Sequence, residues 1–161
     1  MNARFNSRHD KLVRNLNLQL SIFPKFVGNL SHLRYLGLPS TEGDGPNQLP
    51  VEIGKLRFLK TLDLSETRVE KLPPSVITVL GQLMCLSGGW IGFGTRLRLK
   101  NKLTSLEVLE GLIVASKCIA EELGHLTQLR VLDVRVGLST EEANDDGWAA
   151  FIKALLESHM D

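Results

Sequence analysis

Residues 49–73, LPVEIGKLRFLKTLDLSETRVEKLP, mix two periods that no single regular element accommodates. Ile53, Leu56, Leu59 and Leu62 step by three, and at about 3.6 residues per turn that stripe drifts to the opposite face of a helix by its end. Leu62 and Leu64 then step by two, which is strand spacing. Both periods fit a short strand entered through a tight turn and followed by a return along the other side of a coil. Leu72-Pro73 restarts the phrase opened by Leu49-Pro50, so the coil repeats.

The three-leucine core recurs five times, at Leu30-Leu33-Leu36, Leu56-Leu59-Leu62, Leu80-Leu83-Leu86, Leu103-Leu106-Leu109 and Leu126-Leu129-Leu132. With Leu16/Leu18 taken as an earlier strand pair, the steps between strand leucines are 20, 26, 24, 23 and 23 residues. A period of roughly 20–29 residues with this spacing is that of a leucine-rich repeat. The expected fold is an α/β right-handed βα solenoid with a parallel sheet on its concave face. The 161 residues suffice for one domain, read as a single repeat domain over 1–161 with about six irregular repeats and an incomplete last one.

The first repeat, about 11–29, is short and atypical, and TEGDGPNQ after the second strand reads as a loop leaving the coil. Thr67 and Thr41 each fall five residues after a strand leucine, placed to bond loop backbone. Gly28, Gly54 and Gly124 stand two residues before a core leucine, consistent with a tight turn. The fourth repeat allows two registers, one with Leu86 as the strand leucine and one with Gly89-Trp90-Ile91 as the strand. The first gives even steps. It makes SGGWIGFGTRLRLK an irregular return segment with a small extra strand at Arg96–Leu99. Ser139 and Glu142 resemble a capping box, and Trp148, Phe151, Ile152 and Leu155 space as an amphipathic helix.

The formal charge of +1 gives no field pointing to nucleic acid or an anionic membrane. The start MNARFNSRHDKLVRN has no apolar h-region, and no run reaches the ~20 apolar residues of a membrane span. Cys85 and Cys118 form no metal or redox pair and read as reduced thiols, which places the chain in the cytoplasm. GGWIGFG lacks the ending of a phosphate loop. The four histidines have no ligand spacing, and His32 and His125 fall at turn positions where a solvated side chain is expected. Asn29-Leu30-Ser31 matches a glycosylation sequon, but Leu30 is expected in the core. No nucleophile set assembles. The expectation is no enzyme, no cofactor and no metal.

What remains is a surface. The residues between the strand leucines point to the concave face: Asn17, Gly37, Asp63, Ser87, Glu110 and Asp133. The flanking column is Asn15, Tyr35, Thr61, Cys85, Val108 and Val131. A partner-binding face with an acidic line is therefore expected, drawn from Tyr35, Thr61, Asp63, Trp90, Glu110, Asp133 and Arg135. Tyr35 and Trp90 are its candidate aromatic anchors.

The phrases LPVEIGKLRFLKTLDLSETRVEKLPPSV, KLTSLEVLEGL and EELGHLTQLRVLDV resemble the leucine-rich region of plant intracellular immune receptors. These are the coiled-coil, nucleotide-binding, leucine-rich-repeat disease-resistance proteins, in particular those of grasses. The resemblance spans roughly residues 30–160 and implies a role in pathogen-effector recognition or in holding a receptor inactive. It implies a protein partner: an effector, a guarded host protein, or the receptor's own nucleotide-binding domain. It does not extend to the ATP/ADP switch, because the sequence carries no phosphate loop. Two other readings stand beside it, a Ras-linked repeat scaffold and a substrate-selecting arm of a ubiquitin ligase. Both ends are expected to fray or to pair with another chain, as in a receptor fragment.

Overall fold

The period-three spacing is a series of closed turns. The computed structural model describes residues 27, 29–38, 48–92, 98–114 and 117–136. In it, the N–H of the second leucine of each core donates to the carbonyl of the first: Leu33 to Leu30 at 2.9 Å, Leu59 to Leu56 at 3.0 Å, Leu83 to Leu80 at 3.0 Å, Leu106 to Leu103 at 3.0 Å and Leu129 to Leu126 at 3.1 Å. Each turn delivers the chain into a strand: β1 (Tyr35–Gly37), β2 (Thr61–Leu64), β3 (Cys85–Gly92), β4 (Val108–Val114) and β5 (Val131–Val136).

The five strands form one parallel sheet in sequence order. Leu36 pairs with Leu62, Leu62 with Leu86, Leu86 with Leu109 and Leu109 with Leu132, so the expected column stands in register. At each entry one carbonyl accepts two amides of the next coil. Arg34 C=O takes Lys60 and Thr61, Lys60 takes Met84 and Cys85, Met84 takes Glu107 and Val108, and Glu107 takes Arg130 and Val131. The backbone of each coil is thus satisfied by its neighbour.

Proline sets the return limbs. Pro50 and Pro73 sit extended, at ψ 142°, before the 3-10 turn Val51–Lys55 and before helix α1 (Pro74–Val79). Pro74 opens α1 where its missing N–H has no helical partner to lose. A second helix, α2 (Lys117–Leu123), returns ahead of the last core. Between sheet and return limbs lies one core of stacked leucines. Ile53, Leu56, Leu59, Leu62, Leu64, Leu80, Leu83, Leu99, Leu106 and Leu123 are fully buried. At about 1.5–3 kcal/mol per buried leucine side chain, repetition of one shape is the main stabilising term. Leu132 and Val134 pack against this core but are only partly buried.

Several expectations need correction. Trp90 and Ile91 are not part of an irregular return; they belong to β3, which runs through both candidate registers. Its first half pairs Leu86 with Leu62 and Leu109, and after a shift between Ser87 and Ile91 its second half pairs Ile91 with Leu112. Arg98 and Leu99 are coil rather than strand. Gly54, in the 3-10 turn, and Gly124, in the turn after α2, lie in tight turns as expected, although neither takes a left-handed φ. Leu30 is 41% exposed, so burial gives no ground for setting the sequon at Asn29 aside. His32 is exposed at its turn, as expected, and its ring also stacks on Phe58, with centroids 5.8 Å apart. Apart from Val27, Asn29 and Gln48, the first repeat, the TEGDGPNQ loop, Thr41, Gly28 and the C-terminal amphipathic helix lie outside the described residues.

Candidate functional site

A parallel sheet is ordinarily covered on both faces. Here the alternation is one-sided, buried at Leu62 and Leu64 and half-exposed at Thr61 and Asp63, so the second face is open and two polar columns run across it. Tyr35, Thr61, Cys85, Val108 and Val131 stand in one register row. Gly37, Asp63, Ser87 and Glu110 stand in the next. Asp133 lies between Leu132 and Val134 on β5, facing the two-residue step Glu110-Gly111 where the β4–β5 register shifts. The two ladders read from the strand leucines are thus physical rows, except at Asp133, which the register shift takes out of line with Glu110; Asn15 and Asn17 lie outside the described residues.

Asp63 and Glu110 are hydrogen-bonded rather than bare. Asp63 Oδ1 accepts from the Ser65 hydroxyl at 2.6 Å and the Ser65 N–H at 3.1 Å, a local turn of the kind short carboxylates form. Its Oδ2 accepts from the Tyr35 hydroxyl at 3.3 Å. That ring lies across Gly37, where a Cβ would come within 2.9 Å of the Tyr35 oxygen. Glu110 accepts from Ser87 at 3.1 Å. Cys85 sits half-buried among them, with its sulfur 3.7 Å from the Ser87 hydroxyl. Burial pushes its thiol pKa up, the Ser87 hydrogen bond pulls it down, and the Glu110 and Asp63 carboxylates push it up again. A thiol held protonated is a poor nucleophile.

Behind the rows, three glycines and a threonine shape the second half of β3. Thr67 is buried; its hydroxyl donates to Leu64 C=O at 2.8 Å and accepts from Val69 N–H at 3.3 Å. This is the loop-bonding role its position suggests. The carbonyl of Thr67 approaches Gly89 so closely that a Cβ there would lie 2.8 Å away. Gly111, at φ +69°, faces the Gly88 carbonyl. Trp90 is forced to φ 81°, a region that bulky residues rarely occupy. The bulge turns the Trp90 ring onto the open face, where the Arg135 guanidinium carbon lies 3.3 Å from its centroid. Each of these two residues is a candidate from the sequence, which gives no sign that they meet. Only the strand order, which brings β5 within two strands of β3, could have shown it.

Among the described residues no group of three His, Cys, Asp or Glu side chains is set to hold a metal ion, and no helix is long and apolar enough to cross a membrane. The open face offers hydrogen-bonding side chains, two aromatic rings and a stacked cation along one sheet. It is equipped for binding.

The family described as leucine-rich repeat region matches residues 12–159. The sequence is 42% identical over 69 residues to the disease-resistance RPP13-like protein 2 of Arabidopsis thaliana, covering 43% of this chain and 8% of that protein. It is 36% identical over 103 residues to the RPP13-like protein 3 of the same plant, covering 53% of this chain and 12% of that protein. The chain thus spans about a tenth of the length of these relatives. Among solved structures, a leucine-rich-repeat protein of Leptospira interrogans superposes with a TM-score of 0.61 at 27% identity, over 85% of this chain and 33% of that one.

Proposed function

The chain belongs to the leucine-rich repeat region family, and from that membership we propose that it is the protein-binding module of a plant disease-resistance receptor or of a truncated relative. Its similarity to two disease-resistance proteins supports this reading. The open, polar face of the parallel sheet carries the reading further. In a solenoid that curved face is the usual site of use, and here its two rows run unbroken from β1 to β4. Tyr35, Thr61, Asp63, Trp90, Glu110, Asp133 and Arg135 make up the partner face. The partner is a pathogen effector, a guarded host protein or the receptor's own nucleotide-binding domain, met in the cytoplasm. The module contributes recognition or an autoinhibitory contact and no catalysis, and the repeat domain extends over the whole 161 residues.

The test is a titration of the purified chain, by calorimetry, against the nucleotide-binding domain of a receptor of this class and against a panel of effectors. Charge reversal of Asp63, Glu110 and Asp133 to lysine is expected to weaken the partner that binds by at least tenfold, the loss typical of a hot spot. Unchanged affinity in a folded triple variant would move the site off the sheet.

A further inference from the structure

We propose that Arg135, stacked on Trp90, is a carboxylate-binding subsite, and that the partner presents to it an aspartate or glutamate flanked by neutral or basic residues. This rests on the open face being the partner face and names the chemistry at one point of it.

The geometry is that of a preorganised fork. Arg135 Cζ lies 3.3 Å from the centre of the Trp90 ring, a separation that requires the guanidinium to lie on the face of the indole. A guanidinium carries its five N–H donors in its own plane. Stacking uses the flat face and leaves that edge turned outward. Among the described residues the ion pair formed is Arg98–Glu122; Glu110 and Asp133, although on the same face, make none with Arg135. Arg135 is exposed, so its donors are open to an incoming acid. A carboxylate matches two of them bidentately.

The backbone is built to present this pair. Arg135 is on β5 and Trp90 on β3, and β4 passes between them, so the contact spans about 10 Å of sheet. Ile113 pairs with both Gly92 and Arg135, which fixes the row that Arg135 occupies. Trp90, two residues before Gly92, holds a positive φ, and the absence of side chains at Gly88, Gly89 and Gly111, where a Cβ would meet close neighbours, allows the bulge. Strain of this kind is kept where the surroundings over-determine it, often at binding sites. Tryptophan and arginine are also the residue types most enriched among interface hot spots. With the arginine held by the ring, less side-chain entropy remains to be lost on binding.

The neighbours set the selectivity. Glu110 and Asp133 repel a polyacidic segment or a phosphate dianion, and they favour a lysine or arginine beside the incoming acid. The competing occupant is a partner cation that displaces Arg135 from the indole.

Short random peptides displayed on phage and selected on the purified full chain give the probes. Their affinities are then measured on Arg135→Ala, Arg135→Lys and, at the far end of the face, Asp63→Lys, each checked for folding by circular dichroism. Expected binders share an Asp or Glu. They lose about tenfold or more on Arg135→Ala, and a comparable factor when that acid becomes Asn or Gln. Arg135→Lys recovers only part, because the charge returns without the fork. Binders rich in Lys or Arg that tighten on Arg135→Ala would overturn the subsite and make the indole a platform for a partner cation. Binders sensitive to Asp63→Lys but not to Arg135 would overturn the subsite and leave the partner face standing. Binders indifferent to all three substitutions would sink both.

Discussion

The side chain of Ile91 fills the space in which a Cβ on Gly88 would sit. The two are three residues apart on one strand. By register Gly88 stands opposite Leu64, the second leucine of the preceding strand, yet it has no side chain to bury. The bulge folds Ile91 back into that slot, 3% exposed and paired with Leu112.

Gly88→Ala is therefore expected to destabilise the chain by about 1–3 kcal/mol, the usual cost of overfilling a packed core. The new methyl must displace Ile91. Shortening that side chain as well, in Gly88→Ala with Ile91→Ala, should cost less than the two single changes summed. Urea unfolding of the four species gives the coupling directly. Strict additivity would show that Ile91 does not occupy the slot.

Thr67 gives a second stability test. Thr67→Val keeps the shape and removes the hydroxyl that joins Leu64 C=O to Val69 N–H. A loss of about 1–2 kcal/mol is expected for the lost bond and an unsatisfied buried amide. Thr67→Ser should retain most of the stability. An equal loss in both variants would assign the role to the methyl group instead.

For Cys85 the prediction concerns pH. The folded thiol titrates above the ordinary cysteine range, first because of burial and then because of the two carboxylates. Alkylation by iodoacetamide, followed at residue 85 by peptide mass spectrometry, should lag behind a free thiol at pH 8. Glu110→Gln should quicken it and Ser87→Ala slow it further. The raised value stabilises the fold fully below the unfolded thiol's pKa of about 8.5. That contribution declines above this point as the unfolded thiol ionises, and it is gone once pH rises through the folded pKa. Alkylation at the rate of a free thiol would contradict the buried placement.

Glu122 anchors the chain where it re-enters the core. Its Oε2 accepts from Leu99 N–H at 2.6 Å, while Oε1 lies 3.5 Å from the Arg98 guanidinium, itself 71% exposed. The amide bond should matter and the exposed ion pair hardly at all. Glu122→Ala is expected to speed hydrogen exchange at Leu99 and leave Leu62 protected. Glu122→Gln, which keeps an acceptor, should change little. Equal acceleration at both amides would mean global rather than local loosening.

The leucine columns were legible because i, i+3 spacing closes a turn and i, i+2 spacing fills a pleat. Leu36 to Leu132 followed from those two rules alone. The rules fail where a glycine replaces the second leucine, at Gly88 and Gly111. There the chain inserts residues so that Ile91 and Leu112 supply the missing side chains, and no local period records the insertion. Leu30 was misread, and the ring contact of the exposed His32 went unseen, for a related reason. Spacing gives a residue's place in the coil, but its exposure and ring partners depend on the neighbouring coil, as with Phe58 beside His32. The polar rows were legible because alternation is strict across β1 and β2, and the Trp90–Arg135 contact was not because it skips a strand.

The unbroken order β1 to β5, each strand pairing with the one made just before it, has a consequence for biosynthesis. Ribosomes add about 5–20 residues per second, and successive strand leucines are 23 to 26 residues apart from Leu36 to Leu132. Each coil therefore has its docking template complete and waiting when it leaves the exit tunnel, and nascent assembly can keep pace with translation. Trp90 is the exception. Its cation is encoded 45 residues downstream, so for about 2–9 s at those rates the indole stands on the growing sheet uncapped, the moment at which a chaperone would find it.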